Sequence, residues 1–350
     1  MQKTDDVPGG DDLRNLLALL VLFLPGALPA MEMGDGAQML ELHFGADVNA
    51  GKRFGDSATP SAFSLGVVDT MIHGRLSREF SVLAEIVYED GGGEFGFDVE
   101  RLMLTYAPRS WLQLSAGRFH TPLGYWNTAY HHARWMYATT EAPLLAQFED
   151  EAGPLPMHTI GVLLHGMAPL GAVHLEYDLA VGNGRGPEPD PPQNFADVND
   201  SKSVCAALHA EFKGFRLGVS GMLDNSALAS GATLDEWIAV ADLHWQFADI
   251  EAIAEGALVH HDVAGVTALN YGAYGQLSWG FRDDFHLYGR VERFVRDAAE
   301  SFLLTPTASI AVGGLRYELT STAALKLEGG WERINGVEAT TARGQLAWLF

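Results

Sequence analysis

From residue 38 to the last position the chain alternates apolar and polar residues with period two. Leu40, Leu42, Phe44, Ala46 and Val48 alternate with Glu41, His43, Gly45 and Asp47. Leu269, Tyr271, Ala273, Gly275, Leu277 and Trp279 alternate with Asn270, Gly272, Tyr274, Gln276 and Ser278. Successive side chains of a strand point to opposite faces, so each such segment has one greasy and one wet side. The pattern predicts sixteen strands: 38–48, 62–76, 80–90, 97–106, 111–119, 159–167, 173–183, 201–211, 216–223, 236–245, 250–261, 269–280, 286–295, 309–319, 324–333 and 343–350. Most are long enough to cross a bilayer as a tilted strand, which takes roughly 9–11 residues. Two fit least well. In the second, Val67-Val68 and Met71-Ile72 blur the alternation, and in the fourth, Asp98 and Glu100 share a face with Leu102 and Leu104.

The links alternate short and long. Short ones are 77–79, 107–110, 168–172, 212–215, 246–249, 281–285 and 320–323; long ones are 49–61, 91–96, 121–158, 184–200, 224–235, 262–268, 296–308 and 334–342. Tight turns on one side and longer loops on the other are the habit of transmembrane barrels. Phe80, Trp111, Phe212, Phe215, Trp245, Phe247, Trp279, Phe281 and Phe285 gather near the short turns, where a ring would meet hydrocarbon and headgroup together. The chain ends inside a strand, with Leu346, Trp348 and Phe350 on one face. The fold class predicted is all-β: a transmembrane antiparallel up-and-down β-barrel of sixteen strands, spanning residues 31–350, with a long third external loop. A soluble β-sandwich would have strands nearer 5–6 residues and no such rhythm of links.

Composition changes the picture in three places. The one long apolar run, Leu16–Leu24, is too short to span a membrane and stops at Pro25. Ala27-Leu28-Pro29-Ala30 follows it, so residues 1–30 read as a cleaved signal peptide, although Asp5, Asp6, Asp11 and Asp12 are unusual in a leader. The formal charge is −23, and removing residues 1–30 takes away two basic and four acidic residues, leaving about −21. A chain this acidic would be repelled by nucleic acid. A single cysteine, Cys205, excludes an intrachain disulfide and any paired-cysteine metal or haem motif. No cofactor is expected.

If the apolar face meets lipid, the other lines a lumen. A sixteen-stranded barrel is wide enough to leave an aqueous channel. The inward acids expected are Glu41, Asp47, Glu85, Glu89, Glu176, Asp178, Glu211, Glu236, Asp242, Glu251, Glu255, Glu292, Glu318, Glu328 and Glu332; the inward bases are Arg216, Arg290, Arg316 and Lys326. Fifteen against four makes a negative wall and predicts a preference for cations. The alternative is a solvated interior without selectivity.

The 38-residue link 121–158 is rich in aromatics and carries Pro122, Pro143, Pro154 and Pro156. Loops of that length are functional or disordered, and this composition argues for structure. It is expected to fold inward as a constriction, bringing Glu141, Glu149, Asp150 and Glu151 with Arg134 to the pore; the alternative is a lid outside the mouth. His120, His131, His132 and His158 lie at or near its ends, but without ligand-spacing motifs, and no metal site is predicted. His260-His261 is weaker still as a ligand pair.

Residues 117–132 run Gly117-Arg118-Phe119-His120-Thr121-Pro122-Leu123-Gly124-Tyr125-Trp126-Asn127 and on to His131-His132, and Glu100-Arg101 precedes Leu102–Tyr106. This stretch resembles bacterial outer-membrane porins broadly like the phosphate-selective porin O/P group, where a strand ending in Gly-Arg-Phe enters a Pro-x-Gly turn followed by an aromatic and Asn. The resemblance implies a sixteen-stranded porin, a homotrimer, and a place in the bacterial outer membrane. It does not carry phosphate selectivity over, because that needs clusters of Arg and Lys where this lumen is acidic. Pro122 and Gly124 read as backbone devices, and Arg118 as a base facing the pore.

The function expected is passive transport of small hydrophilic solutes, with lipid and lipopolysaccharide around the barrel. Two alternatives stand beside it: a structural sheath enclosing a partner, and an outer-membrane barrel enzyme. No G-x-S-x-G, H-E-x-x-H or comparable signature supports the enzyme, so none is expected.

Overall fold

The computed structural model describes residues 39–55, 60–90, 95–130, 134–147, 151–189 and 195–350. Segment 1–30, expected to be a signal peptide, lies outside the described residues, with Glu149, Asp150, His131 and His132, as do the side chains of Glu89 and Asp90. Sixteen strands follow in order: β1 (Met39–Phe54), β2 (Ala62–Arg75), β3 (Phe80–Asp90), β4 (Phe95–Arg109), β5 (Leu112–His120), β6 (His158–Leu170), β7 (Val173–Gly182), β8 (Ser203–Phe212), β9 (Phe215–Ala227), β10 (Thr233–Phe247), β11 (Ile250–Val263), β12 (Val266–Arg282), β13 (Phe285–Val295), β14 (Ala308–Thr320), β15 (Ala323–Ile334) and β16 (Val337–Leu349). Each pairs antiparallel with its sequence neighbours, and β1 closes on β16. Closure leaves no unpaired edge, which is the condition for a sheet to sit in hydrocarbon. The seam runs from Gly45 opposite Leu349 to Phe54 opposite Thr340. Phe44 and Phe350 extend it with two backbone hydrogen bonds, of 2.8 and 2.9 Å. Their rings stack at 5.5 Å.

The period-two pattern sorts faces as expected. On β9, Leu217, Val219 and Leu223 are exposed, while Arg216, Ser220, Met222 and Asp224 between them are buried. A collar of outward aromatics circles the short-turn end. Phe215 stacks on Trp245 at 5.6 Å, Trp279 lies 5.9 Å from Phe281, and Phe285 stacks on Tyr317 at 4.5 Å. Further up β10, Trp237 stacks on His260 at 5.2 Å. Trp245 to Trp237 is roughly 27 Å along the strand at ~3.4 Å per residue. With the usual tilt that is roughly 20 Å of height, close to the apolar band of outer-membrane barrels.

Two bulges explain the segments where alternation blurs. Ala46 pairs with Val68 but Val48 with Leu65, so β2 has an extra residue facing Asp47. Outward positions shift from Phe63 and Leu65 to Val68 and Ile72. Glu85 pairs with Arg101 but Ile86 with Val99, so Glu100 is the extra residue of β4. That bulge puts Arg101 on the lumen face with Glu85 and leaves Leu102 and Leu104 outside.

The rhythm of links needs correction. The expected long links 262–268 and 334–342 are two-residue hairpin turns at Ala264-Gly265 and Asn335-Gly336, with φ of 54° and 85°, and 50° and 87°. Paired positive φ matches the twist of the flanking strands, so the ladders run on beyond the expected strand ends.

The interior is not uniformly wet. Met222, Ile238, Val240, Ile253, Ala257, Val259 and Phe294 are inward positions on β9, β10, β11 and β13 and are buried. They receive Leu123, Trp126, Leu144, Leu145, Leu155 and Met157 from the 121–157 loop, and Phe302 and Leu303 from the 296–307 loop. The hydrophobic core therefore lies inside the barrel, between its wall and its own loops. Each fully buried large side chain there contributes about 1.5–3 kcal/mol, so the long loop is held as part of the fold.

Candidate functional site

The described residues of the 121–157 segment lie in the lumen along the inner faces of β9 to β16. It holds a short helix, α1 (Tyr125–Ala129), and a single 3-10 turn at Leu144–Ala146. A loop inside a barrel has no sheet partner, yet its backbone groups still need partners. Charged wall residues supply them, with the signs sorted. Bases take carbonyls. Arg290 donates to Glu141 O at 2.7 Å and Ala142 O at 3.2 Å, and Arg316 to Tyr137 O at 2.9 Å and to Trp135 O. Lys326, fully buried, donates to Thr139 O at 2.8 Å and to Arg134 O.

Acids take amides and hydroxyls. Glu255 accepts from Trp126 N at 2.8 Å and Tyr125 N at 3.2 Å, and Glu292 from Leu144 N at 2.6 Å. Glu328 accepts from Thr140 Oγ1 at 2.7 Å and Thr140 N at 3.2 Å. Glu251 accepts from Tyr130 Oη at 2.7 Å. Burial first, and then the Glu251 charge, push the Tyr130 hydroxyl above the ordinary tyrosine range, so it stays a donor.

The expected lumen residues thus divide into two sets. Glu255, Arg290, Arg316 and Glu328 face inward and hold the loop. The remaining members do other work. Asp47 is buried and accepts from Val67 N at 3.0 Å and Asn49 at 2.6 Å. Glu85 is buried, paired with Arg101, and lies 3.8 Å from His120. Glu41 is exposed near the short-turn rim, 3.5 Å from His73. Glu176 and Asp178 face His165, and Asp242 lies 3.3 Å from Arg216.

Of the constriction residues, Arg134 and Glu151 face each other at 3.9 Å, and Glu141 meets Arg343 at 3.0 Å. Arg118 departs from expectation. It is 8 % exposed, its guanidinium sits 4.0 Å from both Asp98 and Glu100, and it lies over the Phe195 ring at 4.8 Å. It ties the root of the loop to β4 and the 183–202 loop. His120 and His158 pair across β5 and β6 with ring centroids 5.4 Å apart, and His158 reaches Glu100 at 2.9 Å.

Between the inserted loop and the barrel seam of β16, β1 and β2 lies a cavity of about 380 Å³. It is lined by Asn49, Lys52 and Arg53 of β1, Ser64 of β2, Arg343 of β16, and Arg134, Glu141 and Glu151 of the loop. Sequence reasoning missed Arg343 because the predicted last strand began there. Its parity with Gln345 and Ala347 was the signal.

A second cluster fixes the external loops. His261 offers Nε2 to Glu236 at 2.6 Å and Nδ1 to Glu300 at 3.0 Å, and Arg185 reaches Glu236 at 2.8 Å. Glu300 also accepts from Phe302 N at 2.7 Å and Leu303 N at 3.0 Å. Burial would raise its pKa. The His261 hydrogen bond and charge, with those two amides, hold it at about 2.

Known structures share this barrel fold. The anion-selective porin of Comamonas acidovorans superposes with a TM-score of 0.67 at 12 % identity, over 90 % of this chain and 100 % of that one. The fold is that of a sixteen-stranded porin. The trimer form of OmpT, an outer membrane protein of Vibrio cholerae, gives 0.60 at 9 % identity over 90 % and 100 %. The outer membrane channel DcaP of Acinetobacter baumannii gives 0.59 at 11 % over 92 % and 100 %. No family model and no curated protein sequence matches the chain. With the apolar belt and aromatic collar, the fold places the barrel in the bacterial outer membrane.

Proposed function

We propose that the protein is a passive channel for small hydrophilic solutes, with the passage running between the inserted loop and the wall made by β1, β2 and β16. The observation that carries this is the one-sided seating of the loop. Its described residues are bonded to the wall from Ser220 of β9 to Glu328 of β15 and leave the 380 Å³ opening at the adjoining seam of β16, β1 and β2. A loop filling the lumen in this way also takes the space that a sheathed partner would need. The role asks for no chemistry on the solute and no cofactor.

Charge selectivity follows from two different places in this reading. The opening itself is mixed, with Lys52, Arg53, Arg134 and Arg343 around Glu141 and Glu151. The short-turn half of the lumen is acidic, with Glu41, Glu176, Asp178, Glu211 and Glu318 not engaged by the described residues of the loop. A wide acidic vestibule raises the local cation concentration. The expected preference for cations is therefore set by the vestibule, and it is weak. Lipid and lipopolysaccharide cover the belt, residues 1–30 are a cleaved leader, and the assembly is a homotrimer, a state in keeping with the trimer form of Vibrio cholerae OmpT. The test is single-channel current from purified protein in a planar bilayer. A potassium chloride gradient should give discrete conductance steps and a small reversal potential of cationic sign. Absence of steps removes the channel, and an anionic sign removes the vestibule argument.

A further inference from the structure

The strand register gathers a set of donors to which the channel reading gives only a diffuse share of the vestibule's charge. His165 of β6 pairs with Asp178 of β7, and Glu176 follows on the same inward face. His165 Nδ1 lies 2.8 Å from Asp178 Oδ1 and 3.9 Å from Glu176 Oε1. One ligand atom from each residue falls within 4.8 Å of the others. Ligands ~2.0–2.2 Å from a tetrahedral ion stand about 3.4 Å apart, a spacing those separations bracket. Small rotations would therefore close the three around one ion. Their side chains are 23 %, 10 % and 27 % exposed, so lumen water reaches the cluster and can fill further coordination positions.

A neighbouring residue points the same way. His209 of β8 stands directly opposite Glu176 in the ladder. It is 2 % exposed, and neither ring nitrogen has a hydrogen-bond partner among the described residues. Asp242 Oδ2, 3.7 Å from its Nε2, also lacks one. Buried imidazoles are normally satisfied, because an unmet polar group in a desolvated site is costly. A free imidazole beside two carboxylates and a second imidazole is a donor in reserve. Arg216 lies 3.8 Å from Glu176 Oε2, which leaves Oε1 for a ligand bond.

We infer that the inner wall of β6, β7 and β8 binds a first-row divalent transition cation of the zinc class through His165, Glu176 and Asp178, with His209 alongside. Imidazole with carboxylate suits such ions, whereas magnesium and calcium take oxygen shells of six or more. The site does not depend on the barrel conducting.

The test is calorimetric titration of the untagged, refolded full chain in detergent with zinc chloride alone. One saturable site per barrel is expected. Cobalt chloride in its place should develop the visible absorption of a nitrogen- and oxygen-ligated ion. His165→Ala and Asp178→Asn should each weaken binding about tenfold or more, and excess magnesium chloride should leave it unchanged. Heat-dependent gel mobility checks that each variant closes its barrel. If His165→Ala does not, Glu176→Gln at the most exposed ligand takes its place. No saturable zinc binding, equal displacement by magnesium, or full affinity in the folded variants overturns the assignment. Zinc binding by a barrel that shows no conductance would keep this site and remove only the channel.

Discussion

Gly124 and Glu255 occupy one space. Gly124 has φ of +73°, and a Cβ built on it would lie 2.0 Å from Glu255 Oε2. That carboxylate is held in place by the amides of Tyr125 and Trp126 and by the Tyr274 hydroxyl at 2.5 Å. Any side chain at 124 pushes the carboxylate off the start of α1, and a backbone at φ 73° and ψ 171° costs an L-residue about 1–3 kcal/mol besides. Gly124→Ala is expected to unseat the near end of the loop. Single-channel recordings should then show larger and noisier steps than wild type, and unchanged steps would mean that the loop does not set the conductance.

Lys326 makes a sharper case for the far end. It is fully buried, gives its ammonium to Arg134 O and Thr139 O, and lies 4.7 Å from the Tyr137 ring. Lys326→Met keeps the volume and removes the donor. Two carbonyls are left without it, at about 1–3 kcal/mol each if buried and unmet. Limited proteolysis should cut within 134–142 in the variant while the barrel stays closed on gels. Equal resistance in variant and wild type would show that packing alone holds this stretch.

The barrel was legible in the sequence because its physics is local. Every strand needs one face for lipid and one for the lumen, so the pattern recurs sixteen times. The blurred places were bulges, where one extra residue at Glu100, or opposite Asp47, reverses the phase that alternation relies on. The interior was harder to read. Inward acids such as Glu255 and Glu328 look the same in sequence whether they face water or backbone amides. The loop's path decides which, and that path is a long-range matter. His165 and Asp178 meet only through register across a hairpin, and nothing in their spacing marks them. Ile238 and Ile253 share their inward face with charged residues, so alternation alone does not mark them as core.

The 296–307 loop should respond to acid. The Glu300 carboxyl is held at about 2, against an ordinary value of 4.5, by His261 and the Phe302 and Leu303 amides. A folded-state pKa below the unfolded one gives stabilisation that is complete above about 4.5 and disappears as pH falls toward about 2. Hydrogen-exchange protection at Phe302 and Leu303 should hold at pH 5 and fall across that window. Glu300→Gln should show the lowered protection already at pH 7. Protection that is independent of both pH and this substitution would place the latch elsewhere.

The lipid face can be separated from the lumen at one strand. Val219 is 59 % exposed midway along β9, and its neighbour Ser220 is buried against the loop. Arginine near the bilayer midplane of a barrel costs about 2–4 kcal/mol. Val219→Arg should lower the stability of the barrel in lipid vesicles by about that much, read from urea titration of folding. A shift near zero would mean that this face is covered by something other than lipid.

Arg343 connects the fold to selectivity. Its guanidinium lies 3.0 Å from Glu141 and 3.5 Å from Glu328, at the edge of the opening between loop and wall. Glu328 is nearly fully buried and keeps its bonds to Thr140, so it stays in place without the arginine. Glu141 is the more exposed partner and would turn into the water of the passage as an unpaired charge. Arg343→Ala therefore removes one positive charge from the opening and frees one negative charge. The reversal potential in a potassium chloride gradient should move toward cations, and Arg343→Ala with Glu141→Gln should move part of the way back. If the single variant moves toward anions, or not at all, the solute does not pass between Arg343 and the loop, and the passage has to be sought along another part of the wall.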